Sequence, residues 1–386
     1  MSVGLRGSAA VVAALGLSAC TAPPATGQEG GAPRSPTPSA TDGALRVETV
    51  AGGLEHPWAL AFLPDGRILV TERPGRLRIV EPGGKLSEPL AGVPKVWAEG
   101  QGGLLDVAID PQFAENRLVY LSFAEPGDGG AGTAVARGRL GQRGLENVQV
   151  IYRQQPKTGG ENHFGSRLVF ARDGKLFVTQ GDRFDQRPRV QDLSSTIGKI
   201  VRINPDGSVP EDNPFVGRAG ARPEIWSVGH RSVQAAALHP ETGQLWTLEH
   251  GARGGDELNH PEAGMNYGWP VITYGIDYSG AKIGEGTAKA GMEQPVYYWD
   301  PVIAPSGMLF YTGDAFPEWR GNVLVGSMQP GALVRLVLQD GKVAKEERYR
   351  GELGARIRDV QQGPDGLIYV VTDEGDGRLL RVRPGR

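Results

Sequence analysis

ARDGKLFVTQGD, residues 171–182, sets a turn built on Asp173–Gly174 directly before an alternating apolar strand. The same arrangement returns as LPDGRILVTE (63–72), ENRLVYLSFAE (115–125), HPETGQLWTLEHG (239–251), WRGNVLVGSM (319–328) and GPDGLIYVVTDE (363–374). Aligning Ile68, Leu118, Leu176, Leu245, Val323 and Ile368 gives separations of 50, 58, 69, 78 and 45 residues, the spacing of a four-stranded unit with insertions of varying length. A lone four-stranded sheet cannot bury both faces. Stacked radially it can, and closing the ring leaves few exposed edges. The spacing predicts an all-β chain folded as a six-bladed β-propeller, with the quoted segment as the second strand of each blade and loops at one end converging on a central channel.

Composition agrees. Among 386 residues there are 58 Gly and 29 Pro, and outside the first 20 residues long Ala- or Leu-rich periodic runs are missing. At a net charge of −3 no basic face advertises a polyanion, so no nucleic-acid partner is expected and each arginine needs a local reason.

Residues 1–20, MSVGLRGSAAVVAALGLSAC, carry one Arg and then an apolar run too short to span a bilayer, ending in LSAC. Leu17–Cys20 resembles the bacterial lipobox, which implies a lipoprotein signal peptide and diacylation of Cys20, the only cysteine in the chain. Residues 21–43 are rich in Pro, Ser, Thr and Gly and read as an unpacked tether. The expected organisation is leader 1–20, tether 21–43 and a catalytic propeller over 44–386, exported and anchored to a bacterial membrane, with the domain in the periplasm or on the cell surface. No internal disulfide is available, which leaves the core and bound ions to provide stability outside the cytosol.

Five segments place charged or amide side chains beside glycine, where backbone can approach a ligand: GQGGLLD (100–106), GENHFGSR (160–167), GHRSVQ (229–234), EHGARGGDELN (249–259) and RIRDV (356–360). The fourth, with Glu249, Asp256, Glu257 and nearby Glu262, is either a solvated acidic loop or an oxygen-rich setting that suits calcium better than zinc, since His250 and His260 lack the converging spacing of a zinc site. Arg356 and Arg358 flank one residue and share a face in an extended segment; they are solvated, salt-bridged, or set around an anion. His163 is open to two readings, a core histidine or a general base.

Together, in this order on this repeat, the segments resemble the soluble pyrroloquinoline quinone (PQQ)-dependent aldose sugar dehydrogenases, a family that includes soluble quinoprotein glucose dehydrogenase, over about residues 47–382. The resemblance implies oxidation of aldoses at the anomeric carbon to lactones, with PQQ and Ca²⁺ as cofactors and electrons passed to an external acceptor. It assigns His163 as the base and Arg231 to the quinone oxygen, and gives Gln101, Tyr278, Gln329, Arg356 and Arg358 as further cofactor contacts. It gives the carbonyls of Gly251 and Ala252 to one calcium, and Glu257 with the carbonyl of Tyr267 to a second. A monomer or homodimer is expected. The chain departs from the family at Ser232 and Val233, where Asn and Pro are common, at Gln329, where a lysine is common, and at Ala252, a proline in the glucose dehydrogenase branch. Two rival readings stand beside it: a calcium-dependent lactonase-type propeller, which leaves the arginines idle, and a non-catalytic sugar- or partner-binding propeller.

Overall fold

A computed structural model of the chain describes residues 1–2, 39–40 and 45–385; Cys20 and most of the leader and tether lie outside the described residues. The strands form six radially arranged sheets of a β-propeller. In chain order the first strands of the blades are Pro57–Phe62, Leu104–Ile109, Gly165–Phe170, Val233–Leu238, Pro305–Phe310 and Ile357–Gln362. The second strands are Ile68–Glu72, Leu118–Gly127, Leu176–Gln180, Leu245–Glu249, Val323–Ser327 and Ile368–Thr372. All six quoted repeats therefore fall on second strands, as expected.

The last blade is completed by the N-terminal strand Leu45–Leu54, which pairs antiparallel with Gly377–Pro384 from Leu45 opposite Pro384 to Leu54 opposite Gly377. Chain ends thus close the ring through a hydrogen-bonded ladder. The apolar residues divide into clusters that mostly straddle neighbouring blades, among them Tyr120 and Val135 with Leu176 and Val178, and Leu60 and Val70 with Tyr369 and Val371. Packing between blades, and not within one, buries the core.

Two blades differ from the expected four strands: Ser39–Ala40, within the stretch read as a tether, adds a fifth strand to the fifth blade by pairing parallel with Glu347 and Arg348. The first blade has three strands, ending with Arg76–Val80. Residues 86–97 carry Pro89 and Pro94, and proline gives no N–H to a ladder. The segment still docks through Ser87 and Leu90, whose N–H groups donate to Ile79 and Leu77.

Each first strand shifts register at or just after its start, between Pro57/Ala59, Leu104/Val107, Gly165/Leu168, Val233/Ala235, Ser306/Met308 and Ile357/Asp359. A bulge re-aims side chains. Here it places polar groups on the propeller axis. The buried Arg167 donates through Nη1 to Asp106 at 3.0 Å and Asp359 at 3.1 Å, through Nε to the Gln234 carbonyl, and lies 4.2 Å over the Trp58 ring. Asp359 in turn accepts the Leu60 N–H and Asp106 the Leu168 N–H. One guanidinium so links the first, second, third, fourth and sixth blades. Arg167→Met leaves two buried carboxylates facing each other without a counter-charge and should cost about 3–5 kcal/mol in urea unfolding, the usual loss when one partner of a buried ion pair is removed.

Candidate active site

A cavity of about 450 Å³ opens at the end of the ring where first strands begin and second strands finish. His56, Gln101, Phe164, Ala304 and Arg356 enter it from just before first strands, Arg73, His250, Met328 and Asp373 from just after second strands, and Trp58, Gln234 and Arg358 from the bulges. Gln329 lines it as well. Trp58, which carries Arg167 on its ring, joins the cavity wall to the axial network.

His163 sits at the edge of this cavity, between the lining residues Gln101 and Phe164. Its N–H donates to the Gln101 side chain at 2.8 Å, and its backbone is left-handed, with φ 55°. The ring is held by a carboxylate, not by the backbone carbonyl a core histidine commonly finds: Nδ1 donates to Asp182 Oδ1 at 2.6 Å. Asp182 also accepts the Phe184 N–H and the Trp269 indole N–H, both at 2.8 Å. Burial, the largest single influence, would raise the Asp182 carboxyl, but the His163 bond and charge, the Arg231 charge and the Phe184 N–H together keep the group below its ordinary value. Burial, aided by the Arg231 charge, holds His163 below its ordinary value despite Asp182. The imidazole is therefore neutral at pH 7, with Nδ1 committed and Nε2 left to accept a proton.

The RIRDV segment puts both arginines on the cavity, as its extended geometry requires. The anion between them is Asp373. Arg358 is buried and donates to Asp373 Oδ2 at 2.6 Å, while Arg356, 51% exposed at its side chain, lies 3.4 Å from the same oxygen. Arg73 adds a third positive charge, and together, against the burial that opposes them, they hold Asp373 well below the carboxylate range. One carboxylate faces three guanidinium groups, and Arg358 Nε is buried without a partner. Such a surplus of planar donors fits a ligand with several carboxylates.

Arg231 is buried under the loop that follows Leu245–Glu249. Its Nη1 donates to the carbonyls of His250, at 2.9 Å, and Gly251, and its Nη2 to Tyr278 Oη at 3.4 Å. Two carbonyl oxygens thus already converge on a cation. Tyr278 is 58% exposed, so it is a rim residue and not part of the core. Of the acidic residues in this stretch, Asp256 is consumed by the N–H groups of Gly251, Ile303 and Ala304, and Glu249 by His230, the Arg231 N–H and Asn259. Glu262 faces solvent beside His260. Glu257 remains, with one hydrogen bond from Asn259. Burial first and the Glu249 charge second push its carboxyl up, and Asn259 Oδ1 beside it is buried without a partner. Tyr267 belongs to the same cluster, its ring stacked on His230. A carboxyl short of counter-charge next to an orphan oxygen fits a calcium ion. Among the described residues no group of three or more His, Cys, Asp or Glu side chains could hold a metal, so any metal here would take most of its ligands from carbonyls.

His250 is held neutral, since burial pushes it down to about 3, and its Nε2 donates to the Pro305 carbonyl. Ser232 is buried, and its hydroxyl accepts a hydrogen bond from the Gln234 side chain. Sequence reasoning missed Asp182, Asp373, Arg73 and His56. A signal was present, because Arg73, Asp182 and Asp373 stand one or two places after the end of a second strand, the latter two within the quoted repeats themselves.

Fold and site together define a propeller with a buried imidazole–carboxylate pair beside an arginine-rich cavity. The family model for glucose / sorbosone dehydrogenase matches residues 54–381, and the chain belongs to that family of oxidoreductases. Aldose sugar dehydrogenase YliI of Escherichia coli (strain K12) is 49% identical over 346 residues, 88% of this chain and 93% of that protein. The apo crystal structure of the soluble aldose sugar dehydrogenase from Escherichia coli superposes with a TM-score of 0.86 at 48% identity, covering 88% of this chain and 99% of that one. The PQQ-bound aldose sugar dehydrogenase from Streptomyces coelicolor superposes with a TM-score of 0.74 at 28% identity, covering 89% and 99%.

Asp373→Asn should lower the stability of the cofactor-free protein by about 3 kcal/mol, because it leaves Arg358 buried and unpaired. The folded-state pKa of Asp373 is depressed, so its contribution is complete at neutral pH and is lost as pH falls through the folded value. Urea titrations of both proteins should accordingly diverge at pH 7 and converge as the pH is taken well below about 4.

Proposed function

We propose that this chain is an aldose dehydrogenase that oxidises the anomeric carbon to a lactone with PQQ and calcium, and that His163 is its general base. The observation that carries this reading is the His163–Asp182 pair at the edge of a cavity with three arginines and one carboxylate. PQQ, when bound, supplies the two-electron acceptor that takes the hydride from the sugar, and its carboxylates match Arg356, Arg358 and Arg73. Gln101 and Gln329 border the same space, while Tyr278 does not line it and meets Arg231 instead. Calcium fits the carbonyls of Gly251 and Ala252 and, at a second position, Glu257 with the Tyr267 carbonyl.

The chain's own residues then divide the work. His163 Nε2 takes the proton of the anomeric hydroxyl as the carbon–hydrogen bond breaks. Asp182 holds the ring in that tautomer and stabilises the imidazolium that forms. Arg231, fixed by the His250 and Gly251 carbonyls and by the Trp269 face 5.3 Å away, keeps a positive charge where negative charge develops on an oxygen. Trp269 itself bonds Asp182, so base and cation share one support. Lactone hydrolysis would leave the arginine surplus without a role. Electrons leave to an external acceptor.

Titrating the purified cofactor-free protein with PQQ, with and without calcium, while following dye reduction by a panel of aldoses tests the reading. Saturable, calcium-dependent reduction is expected, with an acid limb in kcat/KM below the ordinary histidine pKa of about 6.5, since the base works when neutral. His163→Gln should lower kcat by roughly two to four powers of ten with PQQ affinity kept. Unchanged turnover in that variant would remove the base, and absence of PQQ binding would remove the dehydrogenase.

We further propose that the protein is exported and anchored through lipid on Cys20, on the strength of the LSAC leader and the Pro/Ser/Thr/Gly-rich stretch after it. Metabolic labelling with a radioactive fatty acid should mark the wild-type protein and not Cys20→Ser. Label on the variant would overturn the anchor.

A further inference from the structure

Arg183 is fully buried, yet its donors go to main-chain carbonyls: Nη1 to Asn162 and Nη2 to Gly160 at 2.7 Å. Its planar face lies on the Phe164 ring, 3.5 Å from guanidinium carbon to ring centroid, and its Nε is buried with no partner. Burial of this kind is expensive enough to push the group down to about 10. A methionine or leucine would fill the space without that penalty. What the guanidinium obtains in exchange is a grip on the residues either side of His163, the carbonyl of Asn162 before it and the ring of Phe164 after it.

That grip matters because the backbone it holds is strained. His163 has φ 55°, and Arg183 and Phe184 have φ 55° and 66°. Left-handed conformations at non-glycine residues cost on the order of 1–2 kcal/mol each. Three of them meet where segment 182–184 grasps segment 160–164, with the Asp182 carboxylate on the imidazole and the Phe184 ring edge-on to it at 5.3 Å. Without a clamp, the 160–164 peptide would relax and carry the imidazole off the carboxylate.

We propose that Arg183 is the positioning residue for the base: it locks the backbone of residues 160–164 so that His163 keeps Nδ1 on Asp182 and Nε2 free to take the proton. The proposal rests on His163 being the base. Arginine suits the task because its rigid fork spans two carbonyls while its face stacks on an aromatic ring; a lysine in its place reaches one carbonyl and cannot stack in the same way. Both terminal nitrogens of Arg183 are spent on main-chain carbonyls and its guanidinium lies on Phe164, so it acts through the backbone that carries His163.

The test is a double-mutant cycle in the PQQ- and calcium-loaded enzyme, with PQQ affinity and sugar KM measured in parallel. Arg183→Met should lower kcat about 10- to 100-fold, the scale of an ångström-sized misplacement of a catalytic group. PQQ affinity and KM should stay within about twofold, as for sites that do not couple. Arg183→Lys should recover part of the loss. In the His163→Gln background Arg183→Met should change kcat by less than about twofold, because the group it positions is gone. An equal loss in both backgrounds, or wild-type kcat in Arg183→Met, would overturn the positioning role while leaving the base assignment intact. Wild-type kcat in His163→Gln alone would overturn both. If Arg183→Met does not fold, the same cycle run with Arg183→Lys makes the comparison.

Discussion

The Arg167 guanidinium on the propeller axis is the constraint on which the rest depends. Six sheets packed only side by side leave their first strands facing a common channel, and nothing apolar spans it. Arg167 crosses the gap to Asp106 and Asp359, and Asp359 reaches on to Leu60, so blades far apart in sequence are fixed to a common centre. The register shifts at the starts of the first strands make this possible, since they turn Trp58, Arg167, Gln234 and Arg358 toward the axis. Trp58, Gln234 and Arg358 line the cavity, and Arg167 lies behind it on the Trp58 ring. Stability of the ring and shape of the site are consequently one problem, solved by one set of bulges.

Strain is located accordingly. Nine non-glycine residues among those described have positive φ, and five of them, His56, His163, Arg183, Phe184 and Ala304, belong to loops around the cavity or the base. Strain of this kind persists only where surroundings over-determine it. A propeller supplies that condition. Its core is divided among blade interfaces and its ring is closed by the Leu45–Leu54 ladder, so relaxing one loop does not release its neighbours.

The fold was legible in the sequence because five of the six second strands are buried throughout, and the sixth, Leu118–Gly127, keeps a buried centre after a short helix, so a Gly- or Asn-containing turn before an apolar run recurs six times. The first blade's missing fourth strand was not legible, since prolines alter pairing without altering the repeat. Gln101, His163, Arg231, Arg356 and Arg358 could be picked out because each lies beside glycine or in a conspicuous motif. Asp182 and Asp373 could not be assigned partners: their importance comes from His163, 19 residues away, and from Arg358, 15 residues away, and spacing alone does not reveal a pair made across a blade. Nor did the acidic loop reveal that Asp256 and Glu249 are spent on backbone and side-chain donors, leaving Glu257.

The departures from the family pattern take on different weights in this light. Ser232 is buried at the joint between blades, bridged to Gly181, and accepts from Gln234, so its effect falls on packing beside the site. Gln329 does line the cavity, and brings an amide where the family commonly has a lysine. Of the main-chain groups nearby, Ala332 is engaged in the ladder opposite Ser327, which leaves Gly331. The positive charge of the cavity must then come from Arg73, Arg356 and Arg358, of which Arg358 is already tied to Asp373. An anionic ligand in this cavity meets a field built from the first and sixth blades, the two that the N-terminal strand joins. The arginines of these two blades are therefore the counter-charge available to an anion where Gln329 stands on the fifth blade.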